Sequence, residues 1–131
     1  MRFTFKKTER LCNKIAIDSL FQQGKSFSIY PFRIIWQLVD SNQLELDTKV
    51  LISVPKKKIK KAVNRNLIKR RIKEAYRLNK SKHFQSIILR DRQLHFAIIY
   101  LSPEVLPYPK LNHKIILSLQ RLVEVVKNET V

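Results

Sequence analysis

The 131-residue chain has one glycine, Gly24, one cysteine, Cys12, and 10 acidic residues against 27 lysines and arginines. Each scarcity excludes something. A phosphate-cradling loop or a dinucleotide-binding turn needs several glycines at fixed spacing so that backbone amides can reach the ligand, and one glycine cannot supply that. A lone cysteine cannot close a disulfide within the chain, which removes the small disulfide-stapled secreted scaffolds and fits a reducing compartment. There is no run of about 18 apolar residues for a membrane span, and MRFTFKKTER lacks the apolar core of a signal peptide, so the expected location is cytoplasmic, with no membrane partner. His83, His95 and His113 lie far apart with no Cys or His at ligand spacing, and no nucleophile motif such as G-x-S-x-G is present. No catalytic residue and no protein metal motif is therefore read from the sequence.

What is present is positive charge. The formal net charge of +17 makes the folded chain repel itself unless an anion is near, and nucleic acid is the anion whose counterion release rewards such a surface. A hydrophobic content of 44% is enough for one core, and composition does not change along the chain, so residues 1–131 read as a single RNA-binding domain.

Apolar residues at helical spacing from Asn13 to Gln23 (Ile15, Ile17, Leu20, Phe21) predict a first helix, with Gly24 as a left-handed C-cap. Aromatic and β-branched residues from Ser26 to Val39 predict a short strand, a break or bulge at Tyr30-Pro31, and a longer strand from Phe32. Asp40-Ser41-Asn42 supplies a turn, and a third strand within Leu44–Val54 centres on Val50 to Ser53 and ends near Pro55. The basic segment that follows is helical, and the stretch HFQSIILRDRQ after it reads as helical extension or irregular connection. LHFAIIYL, from Leu94 to Leu101, is apolar on both alternations and predicts a strand inside the sheet. A last helix begins near Pro109 and repeats apolar residues through Leu111, Ile115, Leu119, Leu122 and Val126. The order αβββαβα gives an α+β domain with a mixed sheet packed with helices, the early strands forming hairpins and the last strand pairing in parallel across the basic helix.

The basic helix is the informative element. KKAVNRNLIKRRIKEAYR, residues 60–77, holds eight basic residues and one acid. At 100° per residue from Ala62, the residues Arg65, Asn66, Lys69, Arg70, Lys73 and Arg77 share an arc of about 140°, opposite Leu67, Ile68, Ile72, Ala75, Tyr76 and Leu78. From Lys56 to Lys82 there are thirteen basic residues and only Glu74 against them, which accounts for +12 of the +17. Ordinary solvated helix faces mix signs, because like charges at i,i+4 oppose helix formation. Arginine forks can grip phosphate or stack on a base, and Asn66 adds donor and acceptor groups among them. At this level a structural or ribosomal RNA-binding protein and a DNA-binding module with this helix in the major groove both remain open.

KKAVNRNLIKRRIKEAYR further resembles the arginine-asparagine-arginine region of the bacterial ribonuclease P protein component, which runs roughly A-V-x-R-N-x-I-K-R-x-I-R-E-x-F-R. Ala62, Val63, Arg65, Asn66, Ile68, Lys69, Arg70, Ile72, Lys73, Glu74, Tyr76 and Arg77 fit it. TERLCNKIAIDSLFQQGKSF resembles the family's opening, and SVPKKKIKK its lysine-rich passage before the basic helix. The resemblance implies a protein subunit that assists a catalytic RNA in Mg²⁺-dependent, endonucleolytic removal of the 5′ leader from precursor tRNA, with the chemistry and the metal in the RNA and no protein partner. It also implies a left-handed βαβ crossover, in the fold shared with a domain of a small-subunit ribosomal protein. By position, Arg65, Asn66, Lys69, Arg70, Lys73 and Arg77 would contact the catalytic RNA. Ile17 and Phe21 on the first helix, Phe32 and Trp36 on the sheet, and Lys57 and Lys58 would line the leader cleft, with Arg10, Lys14 and Lys56 adding charge. Lys60 stands where the family has a glycine. Leu67 stands where it is often basic and Arg71 where it is often apolar, which predicts an exchange of duties within one local patch.

Overall fold

The computed structural model describes residues 10–40, 48–85, 87 and 92–130. Helix α1 spans Lys14–Gln23, and Asn13 caps it: its side-chain oxygen accepts from the backbone N–H of Ile15 at 2.9 Å and of Ala16 at 3.2 Å. Gly24 follows, but not as a left-handed cap. Its φ of −70° and ψ of 149° are extended, a conformation open to any residue. Glycine is required there for space: a Cβ would run into the Leu20 carbonyl oxygen and lie 2.7 Å from Ile35 Cγ2. The helix end thus lies hard against the sheet.

Strand β1, Lys25–Ile29, pairs antiparallel with β2, Phe32–Asp40, in a register that matches Ile29 with Phe32. The predicted break at Tyr30-Pro31 is the two-residue turn of this hairpin, with a cis peptide before the proline. Strand β3 is Thr48–Ser53, so Asp40 closes β2 while Ser41, Asn42 and the start of the predicted third strand, residues 44–47, fall outside the described residues. Helix α2, Ala62–Phe84, leads to β4, Arg92–Tyr100, and α3 covers Tyr108–Thr130. Pro109 sits in the first turn of α3, where its missing N–H leaves no bond unmade.

The sheet order is β1-β2-β4-β3. β4 is antiparallel to β2 and parallel to β3, so β2 and β3 do not form the second hairpin that their closeness in sequence predicts. The chain leaves β2, reaches the far side of the sheet with β3, and returns through α2 to fill the gap with β4. That central position explains LHFAIIYL. Leu94, Phe96, Ile98 and Tyr100 lie in one core with α2 and α3, and Ala97, with Ile99 packed beside it, lies in a second, smaller core under α1.

The larger core is aromatic at its centre, with Tyr76, Phe84 and Phe96 packed ring to ring at 5.9–6.2 Å. The connection from β4 to α3 is tied from two sides. The Tyr100 hydroxyl donates to the Glu104 carbonyl at 2.6 Å and accepts from the Leu106 N–H at 3.3 Å, and the Arg71 guanidinium donates to the Leu106 carbonyl at 2.7 Å.

Two outcomes test these constraints. Gly24→Ala is expected to lower stability in urea unfolding by about 1–3 kcal/mol, because the new methyl has no room. Arg71→Ala is expected to cost roughly 1–2 kcal/mol in the same measurement, through loss of a charged hydrogen bond at the entrance to α3.

Candidate nucleic-acid interface

Helix α2 buries a narrow stripe. Ile68, Ile72, Ala75 and Tyr76 are at most 1% exposed, whereas Leu67 is half-buried and Leu78 and Val63 are exposed. The apolar arc expected from the sequence is therefore wider than the arc that packs, because sheet and α3 cover only one flank of the helix. On the other side Asn66 and Arg70 are exposed, and Lys69, Lys73 and Arg77 are half-buried.

The six candidate contacts differ in what they already hold. Arg65 turns back on the chain: its guanidinium donates to the carbonyls of Ile59 at 3.0 Å and Lys60 at 2.7 Å, fastening the lysine-rich loop to the first turn of α2. Arg77 is paired with Glu74 at 2.6 Å, and that hydrogen bond holds the Glu74 carboxyl below its ordinary range. No side chain caps the start of α2 and no acid lies in its first turn. Exposed Lys56, Lys57, Lys58, Lys60 and Lys61 precede it, so the positive end of the helix dipole is set among cations.

Lys69 and Lys73 meet a cation from another element. Leu11 N–H donates to the Val50 carbonyl at 2.9 Å, which lays Arg10 and Leu11 along the outer edge of β3. Arg10, Lys69 and Lys73 then rim a hollow of about 180 Å³ floored by Leu11, Val50, Leu51 and Ile52, with Cys12 beside it. The sequence assigns Arg10 to the leader channel; the structure puts it with the α2 face. The expected exchange between Leu67 and Arg71 also takes another form, since Arg71 spends its guanidinium on Leu106 rather than standing in for a surface cation.

The second candidate surface lies on the α1 face of the sheet. Leu20 packs on Ile35 and Ala97, and Ser19 on one flank of the helix is hydrogen-bonded to Gln37. Ile17 and Phe21 occupy the other flank, Phe21 being 46% exposed. Below that flank runs the cross-strand row Ser28, Arg33, Ile99 and Ser53, paired in register. This row is at the end of the sheet from which Lys57 and Lys58 leave β3. Aromatic and aliphatic walls, an exposed arginine on the floor and lysines at the mouth make a groove suited to a single strand.

Phe32 and Trp36 are not in it. They are 0% and 5% exposed and lie in the core under α3, on the opposite face of the sheet from α1. Side chains alternate along a strand, so the groove takes the odd residues of β2 and the core takes the even ones. Arg33 and Ile99 were missed for that reason. The polar alternates Arg33 and Gln37, set among apolar neighbours, were the available sign of which face meets solvent.

Among the described residues no group of three or more His, Cys, Asp or Glu comes together to hold a metal, and no helix is long and apolar enough to cross a membrane.

The comparisons with known proteins agree with one another. The family model described as Ribonuclease P matches residues 5–122. A Ribonuclease P protein component from Porphyromonas gingivalis is 37% identical over 99 residues, covering 76% of this chain and 70% of the relative. The RNase P protein from Thermotoga maritima superposes with a TM-score of 0.64 at 22% identity, covering 86% of this chain and 96% of that one. The RNase P protein from Staphylococcus aureus gives 0.58 at 23% identity, covering 90% and 93%. With its αβββαβα order, its four-stranded mixed sheet and its arginine-asparagine-arginine helix in place, the chain belongs to the ribonuclease P protein component family.

Proposed function

We propose that this chain binds the catalytic RNA of ribonuclease P through α2 and takes the 5′ leader of precursor tRNA into the α1 groove, while the RNA carries out the hydrolysis. The observation that carries the reading is the single-signed side of α2: Lys69, Arg70 and Lys73, with the neutral amide of Asn66 among them and Arg10 added from the edge of β3, put cations on the side of the helix away from the stripe that docks it. Phosphates at this surface relieve the repulsion that the fold otherwise sustains.

Arg65 acts chiefly as a positioning residue in this proposal. By holding the carbonyls of Ile59 and Lys60 it shapes the loop carrying Lys57 and Lys58, which joins the α2 surface to the mouth of the groove. Leader phosphates meet Lys57, Lys58 and Arg33, and bases lie against Phe21, Ile17 and Ile99. Stacking on one aromatic is tolerant of sequence, as leaders of differing sequence require. In this reading Mg²⁺ enters as an ion held by RNA oxygens, the hard ligands it prefers.

With a bacterial ribonuclease P RNA and precursor tRNA at low Mg²⁺, the chain is expected to stimulate cleavage at the mature 5′ end, and the chain alone is expected to cleave nothing. Cleavage that persists without the RNA would place the chemistry in the protein. Arg70→Ala is expected to weaken affinity for the catalytic RNA and to reduce its salt dependence by about one phosphate contact. Phe21→Ala and Arg33→Ala are expected to weaken binding of precursor tRNA several-fold in the reconstituted complex and to leave mature tRNA unaffected. Equal losses for both tRNAs would remove the leader from the groove.

A further inference from the structure

Arg33 carries the charge in the row of sheet residues that floors the α1 groove. The row reads Ser28, Arg33, Ile99 and Ser53 across the four strands, each residue facing the next in register, so all four side chains lie on the α1 face. Its guanidinium is uncommitted. Arg65, Arg71 and Arg77 use theirs on Ile59, Lys60, Leu106 and Glu74, whereas Arg33 is exposed and, among the described residues, has neither a hydrogen bond nor an ion pair. The backbone beneath it is held on both sides. β2 lies between β1 and β4, so the arginine is rooted on an inner strand, which positions a side chain better than a loop does.

We propose that Arg33 reads a guanine in the leader, donating from one edge of its fork to O6 and N7. The proposal rests on the leader lying in the α1 groove and adds a base preference to that reading. Ile17 and Phe21 form an apolar wall, so bases turn inward and their edges meet the floor. An arginine on the floor therefore faces base edges, while lysines at the mouth face the backbone. A phosphate contact by Arg33 takes up only the Nε side of the guanidinium, and its five donors leave the Nη edge for a base. Two parallel N–H donors match two adjacent acceptors. Guanine offers O6 and N7 and cytosine N3 and O2, whereas adenine sets an amino donor beside N7 and uracil separates its two oxygens by N3–H. Of the two matches, guanine has the larger face to stack on Phe21. Neighbouring strands lie about 4.8 Å apart, so a base against Ile99 is one strand spacing from Arg33. Stacking thus admits every base, and Arg33 grades them.

The test uses the complex of the full chain with a bacterial ribonuclease P RNA. A single guanine is walked through an otherwise all-adenosine leader, and the affinity for each precursor tRNA is measured. At one position guanine is expected to bind about fivefold or more tighter than adenine. Inosine at that position, which keeps O6 and N7, should retain the gain, and 7-deazaguanine, which lacks N7, should lose most of it. Arg33→Lys keeps the charge without the fork and should bind the guanine and adenine leaders equally, while Phe21→Ala should weaken both. The absence of a guanine advantage at every position would overturn the proposal, as would an advantage that survives 7-deazaguanine or Arg33→Lys, or an equal advantage for cytosine. If Phe21→Ala still weakens precursor binding in any of these cases, the groove reading stands and Arg33 is a phosphate contact alone. If neither Phe21→Ala nor Arg33→Ala alters binding of any precursor, the groove reading itself fails and the base preference falls with it.

Discussion

Burial of Ile68, Ile72, Ala75 and Tyr76 under α2 is the interaction on which the remaining structure depends, because the other side of that helix works against folding. Fully burying a large apolar side chain contributes about 1.5–3 kcal/mol, whereas a like-charged pair one turn apart on a helix costs a few tenths of a kcal/mol. The core stripe therefore outweighs the repulsion, and a dense row of cations can be held at fixed spacing without a partner. A narrower stripe would leave the same charges on a helix that frays. The aromatic packing of Tyr76, Phe84 and Phe96 extends this anchorage to the far end of α2, past the last of the clustered arginines.

Much of this was legible in the amino-acid sequence where periodicity and composition agree. The three helices, the buried central strand and the two sides of α2 follow from spacing alone. What could not be read there depends on distance in space. Gly24 looks like a helix cap because glycine usually ends helices through its positive φ; here the demand comes from Leu20 and Ile35, which meet it only in the folded chain. The face of β2 that carries Phe32 and Trp36 could not be assigned, because alternation separates two faces without saying which helix covers which. The private partners of Arg65 and Arg71 were hidden for a related reason: a guanidinium bound to a backbone carbonyl leaves no mark in side-chain pattern. Resemblance to a family conveys residue type at a position, and in these cases the type was right while its surroundings decided the use.

Insertion of β4 between β2 and β3 gives the two sides of the sheet different work. One side is fully committed to α2 and α3. Among the described residues the other is covered by Leu11 and by α1, and α1 is short, so a row of sheet residues is left open beside Phe21. The two surfaces meet at the lysine-rich loop after β3, where Arg65 fixes the path of the backbone. Under the proposed function, a strand lying in the groove and a folded RNA on α2 would share that corner, and their phosphates would meet one set of lysines from two directions.

The double tie at Leu106 bears on how load passes through the molecule. Its N–H is held by Tyr100 of the central strand and its carbonyl by Arg71 of the basic helix, so one peptide neighbourhood couples β4, α2 and α3. An RNA pulling on the α2 cations works against the sheet and α3 together, through a joint made of short polar contacts as well as soft apolar ones. Such a joint resists sliding of the two long helices along each other, which side-chain packing alone resists poorly. The RNA proposed to lie on α2 would thus meet a braced ruler, its charge spacing held by the sheet and α3 together.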